Sequence, residues 1–189
     1  MVQHILIGLI APPLCLLGLS PSMAARFARL PGLRPCAEPV AAQLIFAIVM
    51  IGWHFPLLYD LTLASEGVHI LEHLTFLAGG TLFWWPIVES TSAQLHWRLG
   101  PAAKVIYILA GTIPQDTVSL VLIFSRAPFY HFYVTAPRVV PGLDAVTDQT
   151  LAGIALLGAG KISYLVAMLK LFGDWVARTR AEDALADQI

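Results

Sequence analysis

Five long apolar stretches run along the chain, separated by short segments that carry proline, glycine or charged residues. They cover roughly residues 1–20, 38–60, 66–88, 102–127 and 148–176. A helix of about 20 apolar residues crosses about 30 Å of hydrocarbon, so each stretch has or approaches the length of a membrane span. The pattern therefore predicts an all-α, polytopic transmembrane helical bundle of about five spans, forming a single domain over residues 1–189.

Composition agrees with a chain whose main partner is the lipid bilayer. Hydrophobic residues make up 58% of the sequence and charged residues 12%, and the mean hydropathy is +0.75. The net charge of -1, without a cluster of Lys and Arg, argues against a nucleic-acid partner. Cys15 and Cys36 do not form a C-x-x-C motif, so we expect structural roles for both. Because no basic leader precedes the first apolar stretch, we expect that stretch to be retained.

The basic residues predict the orientation of the bundle. Eight of them fall on one side of the predicted spans: Arg26, Arg29, Arg34, Arg98, Lys104, Lys170, Arg178 and Arg180. The other side has Arg126 and Arg138, and Lys161 falls within the last span. Since basic residues accumulate in cytoplasmic loops, this distribution predicts an N-terminus outside and a C-terminus inside.

With this orientation, most of the histidines belong to the outer half of the bundle. His4 opens the first span, His54 lies near the outer end of the second, and His69 and His73 begin the third. His131 falls in an outer loop, where an interfacial aromatic belt with its tyrosine neighbours explains it, and only His96 is cytoplasmic.

The third predicted span carries a pattern typical of metal sites. His69 and His73 are four residues apart with Glu72 between them, so all three project from one helical face. Two such imidazoles can bind one metal ion, and His54 at matching depth could complete the set. Met50, one turn below His54, would add a soft thioether if the ion is Cu(I). Imidazole binds Cu, Zn, Fe or Ni, so the residues do not choose the metal. A histidine within a span can instead form a hydrogen bond to a neighbouring helix, and this structural role applies above all to His4.

Two further ionisable residues fall inside predicted spans. Asp116 lies about halfway through the fourth span, so we expect it to be protonated or bonded to a polar partner in the bundle. Helical rise places Lys161 about 10 Å nearer the cytoplasm. We therefore do not predict an ion pair, and expect Lys161 to extend its side chain towards the cytoplasmic surface.

Four stretches of the sequence together resemble one protein family, and in combination they span most of the chain. They read Met1-Val2-Gln3-His4 followed by Ala11-Pro12-Pro13; Trp53-His54-Phe55-Pro56-Leu57-Leu58-Tyr59-Asp60; His69-Ile70-Leu71-Glu72-His73 followed by Phe83-Trp84-Trp85-Pro86; and Asp148-Gln149 followed by Ala152-Gly153. In this combination the chain resembles the multi-spanning cytochrome c oxidase assembly factors called CtaG, of the caa3-oxidase type. Members of that family look longer at the N-terminus, with one or two more spans and a further histidine. This chain is therefore expected to be a short variant or to lack its first residues.

The resemblance implies a role in the respiratory chain. It implies maturation of a haem-copper oxidase at its copper centre, rather than turnover of a substrate, in the bacterial inner (cytoplasmic) membrane. The partner would be a cytochrome c oxidase subunit or a copper chaperone. We expect the chain to bind copper near the outer (periplasmic) face. The implied site positions are His4, His54, His69, Glu72, His73 and Asp148, each of which lies in a matching stretch.

Three other functions remain open from the residues alone. His69-x-x-Glu72-His73 also matches the pattern of zinc enzymes in which two histidines bind Zn and a glutamate acts on the metal-bound water. Such an outward-facing membrane hydrolase would take Asp60 or Asp148 as a further ligand. His54 and a histidine of the third span could instead bind haem b in a membrane cytochrome. A purely structural oxidase-binding subunit is the remaining alternative.

Overall fold

The computed structural model describes residues 1–137 and 140–186, without the side chains of Glu89, Glu182 and Leu185. Arg138, which was assigned to the outer side, lies outside the described residues. The secondary structure of the described ranges is helical. The six longer helices are α1 (Val2–Leu17), α2 (Pro39–Trp53), α3 (Pro56–Ala64), α4 (Glu66–Trp84), α5 (Pro101–Phe124) and α6 (Ala145–Ala186). Short helices connect them at Pro21–Phe27, Leu33–Ala37, Glu89–Ser92 and Phe132–Thr135.

The all-helical prediction is confirmed, but the structure does not clearly show five spans. Among the described residues, two helices, α5 and α6, are long and apolar enough to cross a membrane, and α2 with α3 adds a third if that bent pair is one span. Helix α1 is apolar but shorter than the roughly 20 residues that cross the hydrocarbon of a bilayer. Helix α4 has 19 residues, but His69, Glu72 and His73 in its first half make it less apolar. The candidate metal ligands thus lower the hydropathy by which a membrane span is recognised.

Helix α1 is distorted just after His4. Residues Leu6–Ile10 form a π-helical turn, and the prolines at positions 12 and 13 lack the N–H groups that would bond the carbonyls of Gly8 and Leu9. The Ser163 hydroxyl of α6 donates to the Leu9 carbonyl at 3.2 Å. A Cβ atom placed on Gly80 of α4 would lie 2.2 Å from the Gly8 carbonyl oxygen, so only glycine permits this approach. These contacts hold α1 between α4 and α6.

The break between α2 and α3 sets the position of His54. Pro56 lacks an N–H group and restricts the residue before it, and Phe55 is extended with φ -67° and ψ 132°. The two helices are bent by 71° relative to each other. His54 therefore lies at the C-terminal end of α2, 4% exposed, instead of continuing a straight span.

The interface of α5 and α6 contains an ion pair that the sequence analysis did not predict. Lys161 Nζ contacts Asp116 Oδ2, and the two side chains are 50% and 25% exposed. The expectation that Lys161 extends towards the cytoplasmic surface is therefore wrong, because its side chain turns to Asp116 instead. Next to it, Gln115 is fully buried and donates Nε2 to the Leu156 carbonyl at 2.7 Å.

Polar contacts tie the connecting segments to the helices at both ends of the bundle. Glu38 accepts hydrogen bonds from the N–H groups of His96 and Trp97, at 2.9 and 3.2 Å. His96 is exposed, and its Nδ1 lies 3.0 Å from Arg34 Nη2. Ahead of α6, the Asp144 carboxylate accepts hydrogen bonds from Thr147 N–H, the Thr147 hydroxyl and Val146 N–H, which lower the pKa of Asp144 below its usual value.

Candidate metal centre

Four side chains from two helices converge at one end of the bundle. His4 comes from the first turn of α1, and His69, Glu72 and His73 come from the first half of α4. One donor atom from each residue lies within 4.8 Å of every other. We call these four residues the histidine cluster, and the end of the bundle that holds them the histidine end.

The α4 residues share a face because of helical periodicity, and α1 adds the fourth member by tertiary packing. The rings of His69 and His73 have centroids 4.3 Å apart, and the rings of His4 and His73 have centroids 5.2 Å apart. His4 Nε2 lies 3.3 Å from Glu72 Oε2. Glu72 is 1% exposed and His4 is 7% exposed, whereas His69 and His73 are partly exposed, so the cluster is closed on one side and accessible on the other.

Several polar atoms of the cluster are buried without a hydrogen-bond partner. They are His4 Nδ1, His73 Nε2 and both carboxylate oxygens of Glu72. A buried polar group without a partner costs about 1–3 kcal/mol, and more when it is charged. A bound cation would remove this cost, because imidazole nitrogens and a carboxylate are metal ligands.

The spacing of the donor atoms fits one small ion after a minor adjustment. Nitrogen and oxygen ligands lie about 2.0–2.2 Å from an ion such as zinc, so two ligands of one ion are at most about 4.4 Å apart. No two of the four donor atoms lie more than 4.8 Å apart. Small side-chain rotations at the partly exposed His69 and His73 are enough to close this difference.

His54 lies beside the histidine cluster but does not belong to it. Its ring centroid is 6.2 Å from that of His4. Its Nδ1 donates to the Met50 carbonyl at 2.7 Å, which leaves Nε2 as the nitrogen with the free lone pair in the neutral ring. That Nε2 is buried and has no hydrogen-bond partner. The Met50 hydrogen bond therefore holds the His54 ring as the second nitrogen of a metal-binding histidine is usually held.

The two aspartates considered as ligands lie elsewhere. Asp148 is exposed and lines a cavity of about 120 Å³ together with Met1 and Tyr59. Asp60 accepts hydrogen bonds from the N–H groups of His131 and Phe132, at 3.2 and 3.3 Å, and so fixes the loop that follows α5. Neither residue is part of the four-residue cluster.

Apolar and hydroxyl side chains support the cluster, and the sequence analysis did not single them out. Phe76 is 1% exposed and stacks on the His4 ring, with centroids 4.9 Å apart. Trp53 Nε1 donates to the Thr75 hydroxyl at 2.7 Å, and that hydroxyl donates to the Glu72 carbonyl at 2.9 Å. Phe76 could have been found from helical spacing, because position 76 lies three residues after His73 and four after Glu72.

Aromatic residues cover the His54 side of the cluster. Tyr130, from the loop after α5, stacks on Tyr59 with ring centroids 3.9 Å apart. The Tyr130 hydroxyl donates to the His54 carbonyl at 3.4 Å. His131 is exposed and outside the cluster. The loop between α5 and α6 thus closes over the break between α2 and α3.

Comparison with known proteins identifies a family. The family model described as cytochrome c oxidase caa3 assembly factor matches residues 1–178. The search of curated proteins finds no significant match, and neither does the search of solved structures.

Proposed function

Since the chain belongs to the cytochrome c oxidase caa3 assembly factors, we propose that it binds copper in the histidine cluster and supplies it to the oxidase during assembly. Copper is then the cargo of the protein. A cytochrome c oxidase subunit would receive the ion, directly or with a copper chaperone as a second partner.

The observation that carries this proposal is the convergence of four potential ligands with unsatisfied donor atoms. Three imidazoles and one carboxylate lie within 4.8 Å of one another, and two of the four side chains are partly exposed. A cargo site must both bind its ion and release it. Partial exposure of His69 and His73 suits release, because a ligand from an acceptor protein can approach the ion from that side.

We further propose that the histidine end faces outwards in the bacterial inner membrane. The five apolar segments would then cross or enter the bilayer as α1, α2 with α3, α4, α5 and α6. The support for this orientation is the excess of Lys and Arg towards the opposite end of the bundle. Polar residues at membrane depth are accommodated where they face the interior of the bundle, and Glu72 and His4 are buried there.

Oxidase maturation in cells provides the test. Bacteria that lack the gene would be complemented with the wild-type chain or with the double variant His69→Ala/His73→Ala, and the copper-to-haem ratio of the purified oxidase would be measured. We expect the wild type to restore the ratio and the double variant to leave it low at equal membrane abundance. The matched control is His96→Ala/His131→Ala, which removes two exposed histidines outside the cluster. Full copper loading by the double variant would contradict the proposal.

The zinc hydrolase and the haem b cytochrome stay predictions that the purified protein can test. Neither Asp60 nor Asp148 joins the cluster, so the hydrolase would have to use Glu72 without the distal carboxylate that its pattern calls for. A Soret band in the purified protein would favour the cytochrome, and zinc with hydrolysis lost in Glu72→Gln would favour the enzyme.

A further inference from the structure

A large cleft opens at the end of the bundle opposite the histidine cluster. It lies between α1, the start of α5 and the C-terminal half of α6, and its volume is about 910 Å³. Leu14 and Leu17 line it from α1, and Ile162 and Val166 line it from α6. These four apolar side chains are each more than half exposed in the chain alone. The cleft therefore offers an apolar surface to hydrocarbon.

Basic side chains also line the cleft. Four basic residues line it, namely Arg98, Lys104, Lys170 and Arg178. Asp174 is the one carboxylate among the described lining residues, and it pairs with Lys170 at 2.7 Å. Lys104 is 7% exposed, and its Nζ donates to the Ile87 carbonyl at 2.8 Å. Trp175 also lines this region, half exposed, as aromatic residues do at the level of lipid headgroups.

We propose that this cleft is a binding site for one anionic phospholipid. Its acyl chains would lie along the apolar walls formed by α1 and α6, and its phosphate would lie among the basic residues. Charge complementarity supports an anionic headgroup, and the apolar walls support an amphiphile over a small soluble anion. The Ser163 to Leu9 hydrogen bond crosses between the same two helices, so the lipid would bind where α1 meets α6. This inference does not depend on the metal or its transfer.

Lipid binding to the purified full-length chain tests the proposal. The chain in detergent would be titrated with phosphatidylglycerol or with phosphatidylcholine of the same acyl chains, and bound lipid would be counted by native mass spectrometry. We expect one tightly bound phosphatidylglycerol per chain and at least about tenfold weaker binding of phosphatidylcholine. Equal affinity for the two lipids would overturn the proposal.

Variants locate the site. Lys170→Gln/Arg178→Gln should weaken phosphatidylglycerol binding by at least about tenfold, since each basic residue near an anionic headgroup contributes severalfold. The matched control is Arg26→Gln/Arg29→Gln, which removes two exposed arginines that do not line the cleft and should leave binding unchanged.

Leu14→Trp should weaken the binding of both lipids by filling the apolar part of the cleft. Unchanged binding in the Leu14 variant would overturn the proposal, as would equal losses in the two double variants. A dimer that Leu14→Trp dissociates would also overturn it, in favour of a second copy of the chain as the occupant.

Discussion

His4 Nε2 lies 3.3 Å from Glu72 Oε2, and this contact joins the first turn of α1 to the buried face of α4. Glu72 contributes the only carboxylate of the histidine cluster, and neither of its oxygens has a hydrogen-bond partner among the described residues. Glu72 is therefore placed to bind a cation beside the His4 ring.

The substitution Glu72→Gln removes the negative charge and keeps the size of the side chain. We expect copper affinity to fall by about 10- to 100-fold, the range found when groups that support a metal site are removed. Titration of the purified variant with a competing chelator measures this change. Glu66→Gln, on the same helix but outside the cluster, is the control and should bind like wild type. Wild-type affinity in Glu72→Gln would exclude the carboxylate from the site.

His54 and His73 should differ in their effect on metal binding. His73 belongs to the cluster, whereas His54 lies at its edge with its ring 6.2 Å from that of His4. We expect His73→Ala to weaken copper binding by more than about 100-fold and His54→Ala by about tenfold or less. The same chelator competition measures both variants. A larger loss in His54→Ala would mean that the break between α2 and α3 moves to bring this nitrogen into the cluster.

Neighbouring glycines on α4 provide a test of how α1 is held. A Cβ atom on Gly80 would lie 2.2 Å from the Gly8 carbonyl oxygen, whereas a Cβ atom on Gly79 would lie 3.5 Å from Val49 Cγ2. Gly80→Ala should therefore push α1 away from α4, destabilise the chain by about 1–3 kcal/mol and weaken metal binding through His4. Gly79→Ala should be neutral or slightly stabilising. Thermal unfolding in detergent and copper titration measure the two effects, and equal behaviour of the two variants would refute the close approach of α1.

The Asp116 and Lys161 pair should stabilise the contact between α5 and α6. Lys161→Met leaves the carboxyl group without its partner, and we expect a cost of about 1 kcal/mol, since both side chains are partly exposed. The double variant Asp116→Leu/Lys161→Met removes both charges and should recover most of that loss. Unfolding of the three proteins in lipid bilayers gives the comparison. Wild-type stability in Lys161→Met would show that the pair contributes nothing.

The sequence predicted the helical class and most of the candidate site, for physical reasons that particular residues illustrate. His69, Glu72 and His73 share a face because of the helical repeat alone, so their proximity could be read from their spacing. His4 could be assigned only through the family resemblance, because its place depends on the π-helical turn and on the glycine contact between α1 and α4. The Asp116 and Lys161 pair was missed since depth along one helix does not give the offset between two helices. Asp148 and His54 stay outside the four-residue cluster, and spacing along the sequence could not show this because both come from other helices.

Copper binding by the purified chain tests the central claim most directly. Protein prepared without added metal would be loaded with Cu(I), freed of excess metal and analysed for copper per chain, alongside His69→Ala/His73→Ala and His96→Ala/His131→Ala. The histidine cluster predicts about one copper per chain in the wild type and in the second variant, and almost none in the first. Undiminished copper in His69→Ala/His73→Ala, with the fold intact by circular dichroism, would contradict a copper site built on α4.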